Sequence, residues 1–146
     1  LQVELVVAAA ERRTEENLQL LREIHSRLVQ AEHADYVQFA EADYDFHMQI
    51  VYCAENRLGI KLMQTMGIML KEQLQNGVKN YPQEKRQLII QSHGAIVHAI
   101  EAHDKNEARR CMMEHLERPY QTIRQTKPYY FSNRQLDIKF VSHEDP

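Results

Sequence analysis

Glycine and proline are scarce in this chain, with four of each in 146 residues. A fold of short strands joined by tight turns needs more of both, which argues against an all-β architecture. No apolar run approaches the roughly 18 residues that a membrane-spanning helix requires, and the mean hydropathy is -0.60. Only two cysteines occur, Cys53 and Cys111, far apart and with no CxxC pairing. That pattern suits a reducing compartment and supplies no disulfide framework. The opening LQVELVVAAAERR has no basic segment ahead of its apolar residues and soon becomes charged, unlike a secretory signal. A cytoplasmic chain is therefore expected. Excess positive charge is also missing. Eighteen Lys and Arg stand against 21 Asp and Glu, a formal net charge of -3. The chain thus carries no electrostatic footprint for nucleic acid.

What remains is a chain of 17.3 kDa, the size of one domain and too short for an α/β barrel. A chain this long buries about two thirds of its unfolded surface and needs no disulfide or metal merely to fold. Its 43% hydrophobic and 27% charged residues are ordinary for a soluble domain. The unusual item is histidine, with eight copies; histidine is the commonest metal ligand and titrates near neutrality.

Apolar spacing predicts six helices. The chain opens in mid-helix, with Leu1, Leu5, Ala8 and Ala9 on one face and no N-cap before them, so an N-terminal part is expected to precede Leu1. Thr14 followed by Glu15 and Glu16 marks a second start, and Leu18, Leu21, Ile24 and Leu28 carry the stripe to about Gln30. A third helix is expected from Asp35 to about Cys53, its apolar line running through Tyr36, Val37, Phe39 and Ala40, then Phe46, His47, Ile50 and Val51. Asn56 is a suitable cap for a fourth, Leu58 to about Lys79, whose apolar positions include Leu62, Met63, Met66, Met69, Leu70 and Leu74. Asn76-Gly77 is expected to end or break it. Pro82 suits the first turn of a fifth helix, reaching about His103 with Leu88, Ile89, Ile96, Val97 and Ile100 as its stripe. Asp104 with Glu107 forms a near capping box for a sixth, carrying Ala108, Cys111, Met112, His115 and Leu116 to about Arg124, with Pro119 expected to kink or fray it. Residues 127–146 read as an arm or tail, with Tyr129, Tyr130 and Phe131 in a row and a possible short strand from Leu136 to Val141. Short loops make neighbouring helices antiparallel. The predicted fold class is all-α, an antiparallel bundle of six to seven helices, with residues 1–126 as the domain.

The helical reading sorts the histidines. Asp43 and His47 are four apart and share a face beside the apolar stripe. His93 lies on the stripe of the fifth helix and His115 on that of the sixth. Three histidines and one aspartate thus occupy positions where the pattern wants a hydrophobe, on three helices, and inward residues of facing helices are how bundles build metal sites. Imidazole nitrogen with carboxylate oxygen suits Zn, Ni, Fe or Mn rather than Ca or Mg. The same residues also read as hydrogen-bonded core histidines, and Cys111, four before His115, is a competing ligand or simply core filler. His25, His33, His98, His103 and His143 fall on polar faces, at helix ends or in the tail and read as surface residues. Arg109-Arg110 with Lys105 reads as a solvated basic face. The Met63, Met66, Met69 stripe reads as adaptable core or cavity lining. A helical metalloenzyme would need a base or nucleophile near an open position, for which Asp45 and Glu114 are the available carboxylates.

These residues also form a familiar pattern. DYDFHMQIVYCAENRLG, HGAIVHAI and MMEHL resemble the FadR-type C-terminal (FCD) domain of GntR-family transcription regulators. That family typically shows an acid, two residues, then Phe-His; a small-residue-Asn turn; a helix of the form His-x-x-Ile-x-x-Ala-Ile; and a closing His-Leu helix. The resemblance runs from about Leu1 to Gln125. It implies a bundle of six or seven helices in which Asp43, His47, His93 and His115 ligate a divalent metal, most often Zn. It further implies a small carboxylate effector, a sugar acid or organic acid, bound at that metal. A homodimer is implied too, with operator DNA gripped only through an N-terminal winged helix-turn-helix that these residues do not include. The chain departs from the family pattern in three ways. The usual effector-contacting Arg of the first helix would precede Leu1, with Glu4 matching the Glu that follows it, and Pro119 and the aromatic tail are atypical. The implied role is effector sensing rather than catalysis, the helical metalloenzyme being the alternative.

Overall fold

The structure, a computed structural model, describes residues 1–126; the side chains at positions 70, 73 and 74, and from 119 on, lie outside that description. The readings made for 127–146 fall outside it as well. The described residues form six α-helices: α1 (Gln2–Arg12), α2 (Glu15–Gln30), α3 (Tyr36–Cys53), α4 (Arg57–Val78), α5 (Gln83–Glu101) and α6 (Lys105–Thr126), with a 3-10 turn at Ala31–His33. The all-α class holds. Leu1–His115 forms one compact unit, and the chain from Leu116 belongs to a second.

The helix starts lie where short polar side chains satisfy orphan N–H groups. Thr14 Oγ1 accepts from Asn17 N at 3.1 Å, and Asp35 Oδ1 from Val37 N and Gln38 N at 2.8 and 3.0 Å. Asn56 Oδ1 accepts from Gly59 N, and Asp104 Oδ1 from Glu107 N, each at 2.9 Å. The ends of α3 and α5 turn through left-handed residues, Glu55 (φ 49) and His103 (φ 54). At the second of these, Asp104 N donates to Ala99 O and His103 N to Ile100 O, the paired bonds of a Schellman ending. Histidine is one of the few residue types that tolerates this conformation, and His103 Nδ1 hydrogen-bonds the Ala10 carbonyl at 2.6 Å. Asn76-Gly77 does not break α4, which runs on to Val78, and α6 is helical through Pro119.

Helix α3 is the hub of the first unit, packed against α1, α2 and α4, while α5 packs on α1 and α2. Six consecutive α3 residues, Phe46 to Val51, are all buried, as expected of a helix enclosed on every side. Leu18, Leu21, Leu28, Phe39, Ile50, Ile96, Ile100 and Met112 fill the interior around it. A second cluster joins Leu28, Phe39, Ala40 and Val78, covered by Tyr81, Ile89 and Ile90.

Helix α4 corrects the expected methionine stripe. Of those methionines only Met63 is buried, whereas Met66 and Met69 are exposed along with Leu58, Leu62 and Ile68. The buried line is instead Gly59, Met63 and Gly67. A Cβ on Gly59 would stand 2.6 Å from Leu5 Cδ2, and one on Gly67 would run into the Tyr44 hydroxyl. Close backbone approach at the two glycines, with Met63 buried between them, seats α4 against its neighbours.

Candidate metal centre

Three helices deliver four side chains to one buried point. Helix α3 presents Asp43 and His47 one turn apart, α5 presents His93, and α6 presents His115. His93 is 0% exposed, Asp43 3% and His47 5%, while His115 is half-buried. The Nε2 atoms of all three imidazoles face one another. His115 Nε2 is 3.2 Å from His47 Nε2 and 3.3 Å from His93 Nε2. Asp43 Oδ1 lies 3.2 Å from His93 Nε2 and 3.8 Å from His47 Nε2. Nitrogen ligands 2.0–2.1 Å from a common tetrahedral ion stand about 3.3 Å apart, so the spacing of the donors already fits a transition metal.

Protein partners do not satisfy this cluster. Asp43 Oδ1 and the Nδ1 atoms of His47 and His93 are buried without a hydrogen-bond partner; the Asp43–histidine distances are close enough for ion pairing but lack hydrogen-bond alignment. Burial pushes the Asp43 carboxyl up to about 7. Burial, and then the neighbouring His115, push His47 down to about 3. His93 is held well below its usual range, chiefly by burial, with His115, His47 and His25 adding to the effect. Near neutral pH these two imidazoles are therefore uncharged and have a lone pair to offer, and a carboxylate would lie among them without a counter-charge. Buried donors in that state bind a cation readily, because the ion relieves the very desolvation that raised or lowered each group.

A second layer holds the rings. Phe46, fully buried, stacks on His93 with centroids 4.1 Å apart and planes 10° from parallel, and it meets His47 edge-on at 6.0 Å. Ser92 Oγ lies 2.9 Å from His115 Nδ1 and 2.7 Å from the Ile89 carbonyl. Sequence reasoning placed Phe46 beside the site but missed Ser92. The one available signal was its position immediately before His93, since nothing in the spacing of α5 announces a partner 23 residues away on α6.

The other candidates lie elsewhere. Cys111 is not among the residues whose donor atoms converge, which are His47, His93 and His115. Its thiol faces Glu107 Oε1 at 3.4 Å and is pushed up first by burial, then by that carboxylate, which disfavours a thiolate ligand. Asp45 pairs with Arg27 at 3.3 Å and Glu114 with Arg110 at 2.5 Å, both toward solvent. Neither carboxylate can therefore serve as base at the cluster. Lys105, Arg109 and Arg110 are the solvated face expected, paired with Glu11, Glu4 and Glu107; Glu4 receives both Arg109 terminal nitrogens, at 2.7 and 3.2 Å. His33, His98 and His103 are exposed, but His25 is half-buried. Its Nε2 meets the Ile90 carbonyl at 3.1 Å, so the surface reading of His25 was wrong. Its ring fits against Gly94, where a Cβ would already be in contact at 3.5 Å. His143 lies outside the described residues.

Comparison with known proteins agrees with this architecture. No curated protein matches the chain. Among solved structures it is similar to McbR/YncC from E. coli, with a TM-score of 0.72 and 18% identity over 86% of this chain and 63% of that one. At that identity the likeness is one of fold, and the chain spans less than two thirds of its neighbour's length. The family model of the FCD domain matches residues 1–118. The chain therefore belongs to the FCD family, the regulatory domains of GntR-type transcription regulators, and is a sensing module rather than an enzyme.

Proposed function

We propose that this domain senses a small carboxylate, a sugar acid or organic acid, at a divalent metal held by Asp43, His47, His93 and His115, and that the bound effector controls DNA binding by an N-terminal domain of the full-length regulator. The observation that carries this reading is the convergence of three Nε2 atoms, with Asp43 Oδ1 at 3.2 and 3.8 Å from two of them and buried without a hydrogen-bond partner. A donor set of imidazole and carboxylate favours zinc, with nickel, manganese and iron as competitors. When bound, the ion supplies a Lewis-acidic anchor for the effector's carboxylate. The chain's residues fix that anchor from three helices, so a ligand gripping it couples α3, α5 and α6. Coupling of that kind is typically worth about 1–3 kcal/mol between sites. The net charge of -3 is consistent with leaving DNA contact to another domain, and with a cytoplasmic setting where operators are found. No helix among the described residues is long and apolar enough to cross a membrane.

The test is metal content of the purified protein, followed by competition with a chromophoric chelator and a thermal-shift screen of small carboxylates with and without zinc. Tight binding of one transition metal per chain, with carboxylate stabilisation only in its presence, is the expected result. No bound metal, together with unchanged stability on chelation, overturns the metal reading; carboxylate stabilisation that persists after chelation overturns the anchor.

A homodimer is part of the same proposal. Leu58, Leu62, Met66 and Met69, spaced four, four and three apart, leave an exposed apolar line along α4, and soluble monomers rarely leave such a line uncovered. Replacing Leu62 with Glu and Met66 with Lys breaks that line while keeping a favourable i,i+4 pair. Sedimentation equilibrium should then report a monomer with unaltered zinc affinity. A variant that sediments like the wild type places the interface elsewhere.

A further inference from the structure

We propose that Ser92 is a positioning residue that locks His115 in one tautomer, with the proton on Nδ1 and the lone pair of Nε2 aimed at the centre of the cluster; this rests on the metal reading above. The argument is a count of hydrogens. Ser92 Oγ is 2.7 Å from the Ile89 carbonyl and 2.9 Å from His115 Nδ1, and each of these contacts needs a hydrogen between its heavy atoms. A carbonyl oxygen has none to give and a serine hydroxyl has one. The hydroxyl hydrogen goes to the Ile89 carbonyl, so the second must come from His115. Nδ1 is therefore the donor, Ser92 Oγ the acceptor, and Nε2 is left bare where it faces His47 Nε2 and His93 Nε2 at 3.2 and 3.3 Å.

The arrangement has a reason in this fold. Free neutral histidine prefers its proton on Nε2, the wrong nitrogen for a ligand that coordinates through Nε2. His47 and His93 are clamped by burial and by Phe46, whereas His115 is half-buried and has more room to turn. Adjacent residues of α5 do two jobs: His93 supplies one ligand, and Ser92 orients another that arrives from α6. An outer partner that fixes tautomer and ring orientation is a general need of histidine ligands, and losing one commonly lowers metal affinity 10–100-fold.

The experiment compares wild type with Ser92→Ala and Ser92→Thr. Long-range proton–nitrogen NMR on the chelated proteins should show His115 as the Nδ1–H tautomer in wild type and Ser92→Thr, and shifted toward Nε2–H in Ser92→Ala. Chelator competition should show zinc affinity about 10–100-fold weaker in Ser92→Ala, restored by threonine, with the melting temperature of the chelated proteins little changed. A merely structural serine would move the last quantity and leave the tautomer alone. An unchanged tautomer in Ser92→Ala overturns the proposal, as does unchanged affinity in a background where wild type binds zinc. A wild type that binds no zinc sinks the metal reading by itself, and the tautomer measurement still decides the role of Ser92.

Discussion

Replacing Asp43 with Asn should stabilise the chelated protein while weakening its affinity for metal. Burial raises the Asp43 carboxyl from 3.8 to about 7. The stability it contributes is therefore complete below the unfolded value of 3.8 and is lost as pH rises through about 7. At roughly 1.36 kcal/mol for each tenfold change in proton affinity, the ionised group costs the folded state about 4 kcal/mol above pH 7. Asparagine keeps the shape and never ionises. In urea titrations with chelator present, Asp43→Asn should gain on wild type progressively between pH 4 and 7, and the gap should level off beyond. At pH 8 the variant should be more stable by as much as about 4 kcal/mol. With saturating zinc the order should reverse, because only wild type retains the carboxylate ligand. A gap that does not change with pH, or a chelated variant weaker than wild type at pH 8, would refute the view that this carboxylate lies buried without compensation.

Two further outcomes follow from the same structure. Zinc binding should be nearly independent of pH above 7 and weaken about tenfold per unit just below it, since the Asp43 proton must then leave while His47, held near 3, is already neutral; chelator competition from pH 6 to 8.5 checks this, and a flat profile contradicts it. Gly59→Ala should destabilise the fold despite alanine's better helix propensity. The gain is at most about 1 kcal/mol, whereas forcing a methyl within 2.6 Å of Leu5 Cδ2, on a side chain itself only 3% exposed, costs about 1–3 kcal/mol. Chemical denaturation reads the net sign.

Much of this architecture was legible because its signals are local. Thr14, Asp35, Asn56 and Asp104 each cap a helix within three residues of themselves, so the starts could be placed from sequence. The gathering of the candidate histidines was legible for a related reason. A histidine on an apolar stripe stands out, and helical period alone assigns His47, His93 and His115 to inward faces. What escaped was relational. Hydropathy marked Met66 and Met69 as apolar but could not say which face of α4 is covered; that face is Met63 flanked by Gly59 and Gly67, and the glycines carry no hydropathic signal. His25 looked polar and peripheral, yet it fits against a glycine on a neighbouring helix and bonds a backbone carbonyl. Ser92 makes its bond to a side chain on another helix, and no periodicity within α5 encodes that.

The spread of the four proposed ligands along the chain has a mechanical consequence. Asp43 and His115 bracket most of α3, all of α4 and α5, and half of α6, so in the proposed site an ion held between them would act as a removable cross-link around a loop of some 70 residues. By the loop-closure argument applied to disulfides, a tie of that span restricts the unfolded chain by about 4 kcal/mol. Unlike a disulfide, it opens with the supply of metal rather than with redox state. A backbone cut within α4 would then leave two fragments tethered while the ion stays, and free to part once it is withdrawn.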